Sequence, residues 1–131
     1  METAIRQRIA ILVYEDIEAA HDYLVRVFGL GPGRLERDPS GRAVHGEVDA
    51  GDGVIWLHRH APEHGLVSPR SVGASTAMTV VMVEDVDEHH ARVVAAGGNP
   101  TGEPHDADYG FREYTAVGPE GELWSFMKPL D

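Results

Sequence analysis

At 131 residues, 42% hydrophobic and 25% charged, the chain has the size and make-up of one soluble globular domain. Twenty-two acids against eleven bases give a formal net charge of −11, a surface that repels phosphate backbones and excludes nucleic acid as a partner. No apolar run approaches the roughly 20 residues needed to span a bilayer, and the first residues lack the apolar stretch of a signal peptide, so a cytoplasmic protein is expected. With no cysteine there is neither a disulfide framework nor a thiolate site. An acidic field also gathers cationic small molecules.

In chain order, Gln7 to Val13 reads as a β-strand. Asp16 follows as a helix N-cap, and Ile17, Ala20, Leu24, Val27 and Phe28 recur at helical spacing, so one stripe faces a core. Gly29 and Gly31-Pro32-Gly33 end that helix. Arg34 to Arg37 predicts a short strand. Ala43 to Val48 and Val54 to His58 predict two more around a glycine- and aspartate-rich turn. Arg59 to Ser75 carries Pro62, Gly65, Pro69 and Gly73 with no sustained period and reads as a linker or ordered loop. Ala77 to Val83 predicts a strand, and Asp85 caps a second helix with Glu88 at the capping-box position. A weak strand is expected near Thr101 to Pro104. The tail, Phe111 to Val117 and Glu122 to Met127 around Gly118-Pro119-Glu120-Gly121, predicts a hairpin.

The chain repeats itself. Glu15-Asp16-Ile17-Glu18 matches Glu84-Asp85-Val86-Asp87 at an offset of 69, and Gly53-Val54-Ile55-Trp56 matches Gly121-Glu122-Leu123-Trp124 at an offset of 68. Each half is a strand, a helix and about three strands, too small to hide its own sheet edges, so two halves must join. The fold class is therefore α+β, two βαβββ modules with cupped mixed sheets. One domain is expected, with module one at about 6–60, a connecting loop at about 61–75 and module two at about 76–128.

Paired βαβββ modules with an Asp-capped first helix resemble the vicinal oxygen chelate superfamily of glyoxalases, extradiol dioxygenases and bleomycin resistance proteins. The tail carries the most specific likeness. Tyr109-Gly110-Phe111-Arg112-Glu113-Tyr114, then Gly118-Pro119-Glu120-Gly121 and Leu123-Trp124-Ser125-Phe126, is similar to the aromatic-Gly-Arg-Glu-aromatic, Asp-Pro-x-Gly pattern of bleomycin-resistance-type members. Phe111 is an insertion, and Gly118 stands where those members carry Asp.

The resemblance implies that enzymes of this fold hold a divalent metal with side chains at positions corresponding to Ile9, Leu57, Met78 and Ser125. None of these four is a competent ligand set, so no metal and no cofactor are expected. The resemblance further implies a homodimer with ligand clefts shared between chains. The leading expectation is a non-enzymatic protein that sequesters an aromatic or cationic antibiotic-like molecule. A metal-dependent lyase or dioxygenase and a metal-free biosynthetic enzyme using Glu113 or a histidine as base are the alternatives.

Ligand-binding candidates are Tyr109, Phe111, Arg112, Glu113, Trp56, His58 and Ser125. Tyr109 occupies the position where bleomycin-resistance-type proteins stack a ring on the drug. Phe111, Glu113 and Thr115 would share one strand face, a one-residue register error exchanging them for Arg112 and Tyr114. Trp56 and Trp124, as repeat mates, are expected to sit alike, packing under the helices or else touching ligand. His58, His60, Glu63 and His64 form the most ligand-like cluster, set against solvated loop-edge histidines. His90 is expected to border the core and His89 to face solvent. His45 and His105 have no evident partner.

Overall fold

The computed structural model describes residues 2–131. Strand β1 (Ile11–Tyr14) leads into helix α1 (Ile17–Arg26), then β2 (Gly31–Arg37), β3 (Ala43–Asp49) and β4 (Val54–Arg59). These strands form one sheet in the order β1-β4-β3-β2. A 3-10 turn at Pro62–His64 and a single helical turn, α2 (Pro69–Val72), lead to β5 (Met78–Met82) and helix α3 (Val86–Ala95). Short strands β6 (Asn99–Pro100) and β7 (His105–Asp106) precede the hairpin β8 (Phe111–Val117) and β9 (Leu123–Pro129). The second sheet runs β5-β9-β8-β6, with β7 also on β8. The architecture is the α+β pair of mixed sheets that the repeat implied.

The caps explain where the helices begin. The carboxylate of Asp16 accepts from the Ala19 N–H at 3.0 Å, and that of Asp85 from the Glu88 N–H at 3.0 Å, satisfying donors that a helix start leaves free. Several boundaries differ from the sequence reading. Gly31-Pro32-Gly33, read as the end of the first helix, opens β2, and α1 already ends at Arg26. The first strand starts at Ile11, although the Trp56 N–H still reaches the Ala10 carbonyl at 3.0 Å. The weak strand near Thr101 to Pro104 is instead two short pairings that flank it.

One core joins the modules. Phe28, just past α1, packs 5.3 Å from Trp124 and 5.0 Å from Phe126, ring centre to ring centre. Such contacts add about 0.5–1.5 kcal/mol each beyond burial. His89, expected in solvent, is half-buried against them. Its Nε2 meets the Phe28 carbonyl at 2.8 Å and its Nδ1 the Tyr114 hydroxyl at 2.6 Å, so Nε2 carries the proton and Nδ1 accepts. Val86 turns inward, and positions three and four later share its face. His90 therefore also packs edge-on against Tyr114, at 4.9 Å.

Two buried carboxylates in the tail turn fasten the modules. Glu120 accepts from the Glu15 and Asp16 N–H groups at 2.7 and 2.9 Å and from the Ser68 hydroxyl at 2.5 Å. Glu122 accepts from the Tyr14 hydroxyl, from Trp124 Nε1 at 3.2 Å and from the Glu120 N–H at 3.0 Å. This network explains Gly118. A Cβ there would stand 2.5 Å from the Glu122 carboxyl group, so the Asp of the bleomycin-resistance-type pattern has no room.

Candidate functional site

Each sheet buries one face against the helices and leaves the other open. In the first sheet Val48, Ile55 and Leu57 are buried beneath α1. The alternate residues, Glu47, Trp56, His45 and His58, pair across strands on the open face. In the second sheet Tyr114, Ala116, Trp124 and Phe126 are buried. Glu113, Thr115, Ser125 and Met127 alternate to the other side, beside the exposed Met78, Val80 and Met82.

This arrangement corrects the internal repeat. Ile11 pairs with Trp56, and Val80 pairs with Ser125, both in parallel. The matching separation is 69 for 11 to 80, 56 to 125 and the caps 16 to 85, but 68 for β3 to β8, where Val48 and Ala116 face Ile55 and Trp124. The structural mate of Ser125 is therefore Trp56, not Leu57, and the two tryptophans are not mates. The reason lies in the hairpins. Asp49 pairs with Val54 across residues 50–53, whereas Val117 pairs with Leu123 across residues 118–122. One additional turn residue shifts the last strand by one, and a shift of one exchanges its faces. Trp124 is wholly buried while Trp56 is 41% exposed.

Trp56 forms one wall of a cavity of about 350 Å³ on the open face, with Ile11, Arg34, Glu36, His45 and His58. Its indole N–H donates to Glu47 at 3.1 Å, which fixes the ring and leaves the π face as the surface it offers. His58 Nδ1 lies 2.7 Å from the Arg59 carbonyl, so in the neutral ring Nδ1 holds the proton and Nε2 is an acceptor. His45 packs edge-to-face on it, 5.0 Å between ring centres. Glu36 lies 3.8 Å from His45 and 3.7 Å from Arg34. Glu36, His45 and His58 are successive cross-strand partners. Once the hairpin turn is fixed at residues 50–53, counting outward pairs position 45 with 58, a signal the sequence held but that needed the register.

The remaining candidates gather on the second sheet. The Tyr109 hydroxyl donates to Glu113, an interaction that, with little burial, holds the phenol pKa above its usual value. Glu113 also lies 3.9 Å from His105 Nε2, and Phe111 lies 5.8 Å from the Tyr109 ring. Ser125 is buried in the floor. Arg112 lies on the other face of the strand. It grips Asp87 at 2.8 and 2.9 Å and Asp106 at 2.9 Å, which raises its pKa further and lowers that of Asp87. Within one chain the structure brings Trp56 and His58 together, and separately Tyr109, Phe111 and Glu113.

The parallel pairs facing the open side, Ile11 with Trp56 and Val80 with Ser125, offer a single hydroxyl as donor, a set that does not fit the divalent metal this fold can hold. Among the described residues no three His, Asp or Glu side chains are placed to hold a metal ion. No helix among them is long and apolar enough to cross a membrane.

A fold of two such sheets with an aromatic open face defines a class, and the model of the Glyoxalase/Bleomycin resistance protein/Dioxygenase superfamily matches residues 6–126. The chain belongs to that superfamily. TioX from Micromonospora sp. ML1 is 32% identical over 95% of this chain and 99% of its own, with a TM-score of 0.74. TnmS3, an antibiotic binding protein from Streptomyces sp. CB03234, is 20% identical over 98% and 99%, with a TM-score of 0.76. A glyoxalase-related enzyme from Clostridium phytofermentans is 17% identical over 98% of both chains, with a TM-score of 0.77. No curated protein sequence matches the chain.

Proposed function

We propose that this protein binds and sequesters an aromatic, antibiotic-like small molecule without transforming it, and so protects the cell that makes or meets it. The observation that carries the proposal is Trp56: a half-exposed indole, pinned through its N–H to Glu47, in a cavity on the open face of the first sheet. A fixed ring stacks on a planar ligand at little entropic cost. TnmS3, which shares the fold, is an antibiotic binding protein.

The cleft is completed by a second copy of the chain. The open face of each sheet carries exposed apolar side chains, Ile11 on the first and Met78, Val80 and Met82 on the second. A two-fold dimer that sets the first sheet of one protomer against the second sheet of its partner covers both sets and forms two equivalent clefts. Trp56 and His58 then face Tyr109, Phe111 and Glu113 of the other chain across the ligand.

The decisive measurement is recovery of the ligand. After saturation and release, submicromolar binding with chemically unchanged ligand supports sequestration, and turnover overturns it. One observation favours a second reading. Glu113 lies between the Tyr109 hydroxyl and the His105 imidazole, a setting in which a carboxylate can take a proton. Product formation abolished by Glu113→Gln would establish a metal-free enzyme instead.

A further inference from the structure

We infer that the ligand of the Trp56 cavity is a polycyclic aromatic without an anionic group, bearing a hydrogen-bond-donating hydroxyl, and that His58 Nε2 is the group that reads it. The inference rests on the binding role assigned to this face and narrows it to a chemical class.

The tautomer of His58 decides the polarity of the contact. Its Nδ1 lies 2.7 Å from the Arg59 carbonyl oxygen, a group that only accepts. Nδ1 must therefore donate, and Nε2 of the neutral ring has only a lone pair to offer. The residues that pack on this ring, His45 at 5.0 Å and His64 at 6.3 Å between ring centres, do not change that. His45 meets it edge-to-face at 5.0 Å and has Glu36 on its other side at 3.8 Å, which holds the imidazole in place across three adjacent strands. A ligand group that satisfies Nε2 must bring its own proton.

The spacing decides the framework. Trp56 and His58 lie two residues apart on the same strand face, a separation of about 7 Å. A single six-membered ring centred on the indole falls short of Nε2, whereas fused rings span the interval and carry a peripheral hydroxyl to it. The surrounding charge decides that the ligand carries no anionic group. Glu47 sits at the indole's N–H edge and Glu36 beside His45, while the nearby Arg34 is already paired with Glu36 at 3.7 Å. Two carboxylates around one paired guanidinium disfavour a carboxylate or phosphate on the ligand.

The test compares a phenanthrol with its methyl ether, which has the same rings but no donor, by calorimetry on the full-length protein. The phenanthrol is expected to bind about tenfold more tightly than the ether, as one satisfied acceptor predicts. His58→Phe, which keeps a planar ring and removes the acceptor, is expected to lower phenanthrol affinity to that of the ether and leave the ether unchanged. His58→Gln, which offers an amide oxygen, is expected to keep part of the preference. Equal binding of both probes by the native protein, or equal loss of both in folded His58→Phe and His58→Gln, overturns the inference while the aromatic-cleft reading stands. Failure of both probes to bind, and of a wider panel of polycyclic aromatics to do so, overturns that reading as well.

Discussion

Trp56 and Trp124 each stand three residues after a turn glycine, yet they lie on opposite faces of their sheets: Trp124 is sealed against Phe28, and Trp56 opens onto a cavity. The same substitution therefore has different consequences at the two positions. Trp124→Ala is expected to cost about 3–5 kcal/mol of stability, the range for deleting a large buried ring. Trp56→Ala is expected to cost less than about 1 kcal/mol while abolishing stacking with the ligand. Chemical denaturation and ligand titration of the two variants, side by side, check both halves.

A cleft shared between protomers makes a prediction about mixtures. Trp56→Ala spoils the first sheet's open face and Met82→Glu that of the second, where Met82 is exposed in the single chain. Each variant alone is expected to lose binding. Refolded together, they form mixed dimers in which one cleft combines two intact faces, so binding returns. Mixtures that stay inactive although light scattering shows dimers would mean that each cleft belongs to one chain.

Glu122 and Gly118 form a matched pair. Gly118→Asp restores the residue usual in bleomycin-resistance-type proteins, but its Cβ would meet the Glu122 carboxyl group at 2.5 Å. A loss of about 1–3 kcal/mol is expected from the overpacking alone. Combining it with Glu122→Ala relieves the clash, so the double variant is expected to lose less than the two single losses added together. A double-mutant cycle by urea unfolding measures this coupling.

Acid stability is tied to His89. Burial, first of all, lowers its pKa below the ordinary imidazole value, so the folded state holds it neutral. Its contribution is present above about pH 6.5, where the unfolded imidazole is also neutral. It is lost as pH falls through the lowered folded value, because the unfolded chain takes up the proton first. His89→Gln, which can still donate to Phe28 and accept from Tyr114, is expected to flatten the stability profile just below pH 6.5. An unchanged slope would show that another group dominates there.

The alkaline limb belongs to Tyr14. Burial, then the neighbouring Glu122, raises its pKa well above the usual phenol value. Its contribution is full below about pH 10 and is lost as pH rises towards the folded value, since the unfolded phenol ionises near 10. Tyr14→Phe is expected to reduce that alkaline slope and, at neutral pH, to destabilise by about 1–3 kcal/mol because Glu122 loses a donor in a buried site. Tyrosinate absorbance followed alongside unfolding separates the two effects.

Local pattern alone determined most of the architecture. Asp16 and Asp85 announced the helix starts, the alternation in Phe111 to Val117 announced β8 at its observed bounds, and their repetition implied paired modules in the superfamily to which the chain belongs. Caps, periodicity and turn chemistry act over a few residues, so they are written in the sequence. Strand facing is different. It depends on parity, and one residue more in the β8–β9 turn than in the β3–β4 turn was enough to bury Trp124, open Trp56 and make Ser125 its partner in place of Leu57. The histidines likewise took their roles from neighbours far along the chain. His89 is fixed by Phe28 and Tyr114, and His45 gained a partner only when β3 and β4 came into register. The sequence could name the rings and imidazoles, but tertiary packing alone decided which of them face one another.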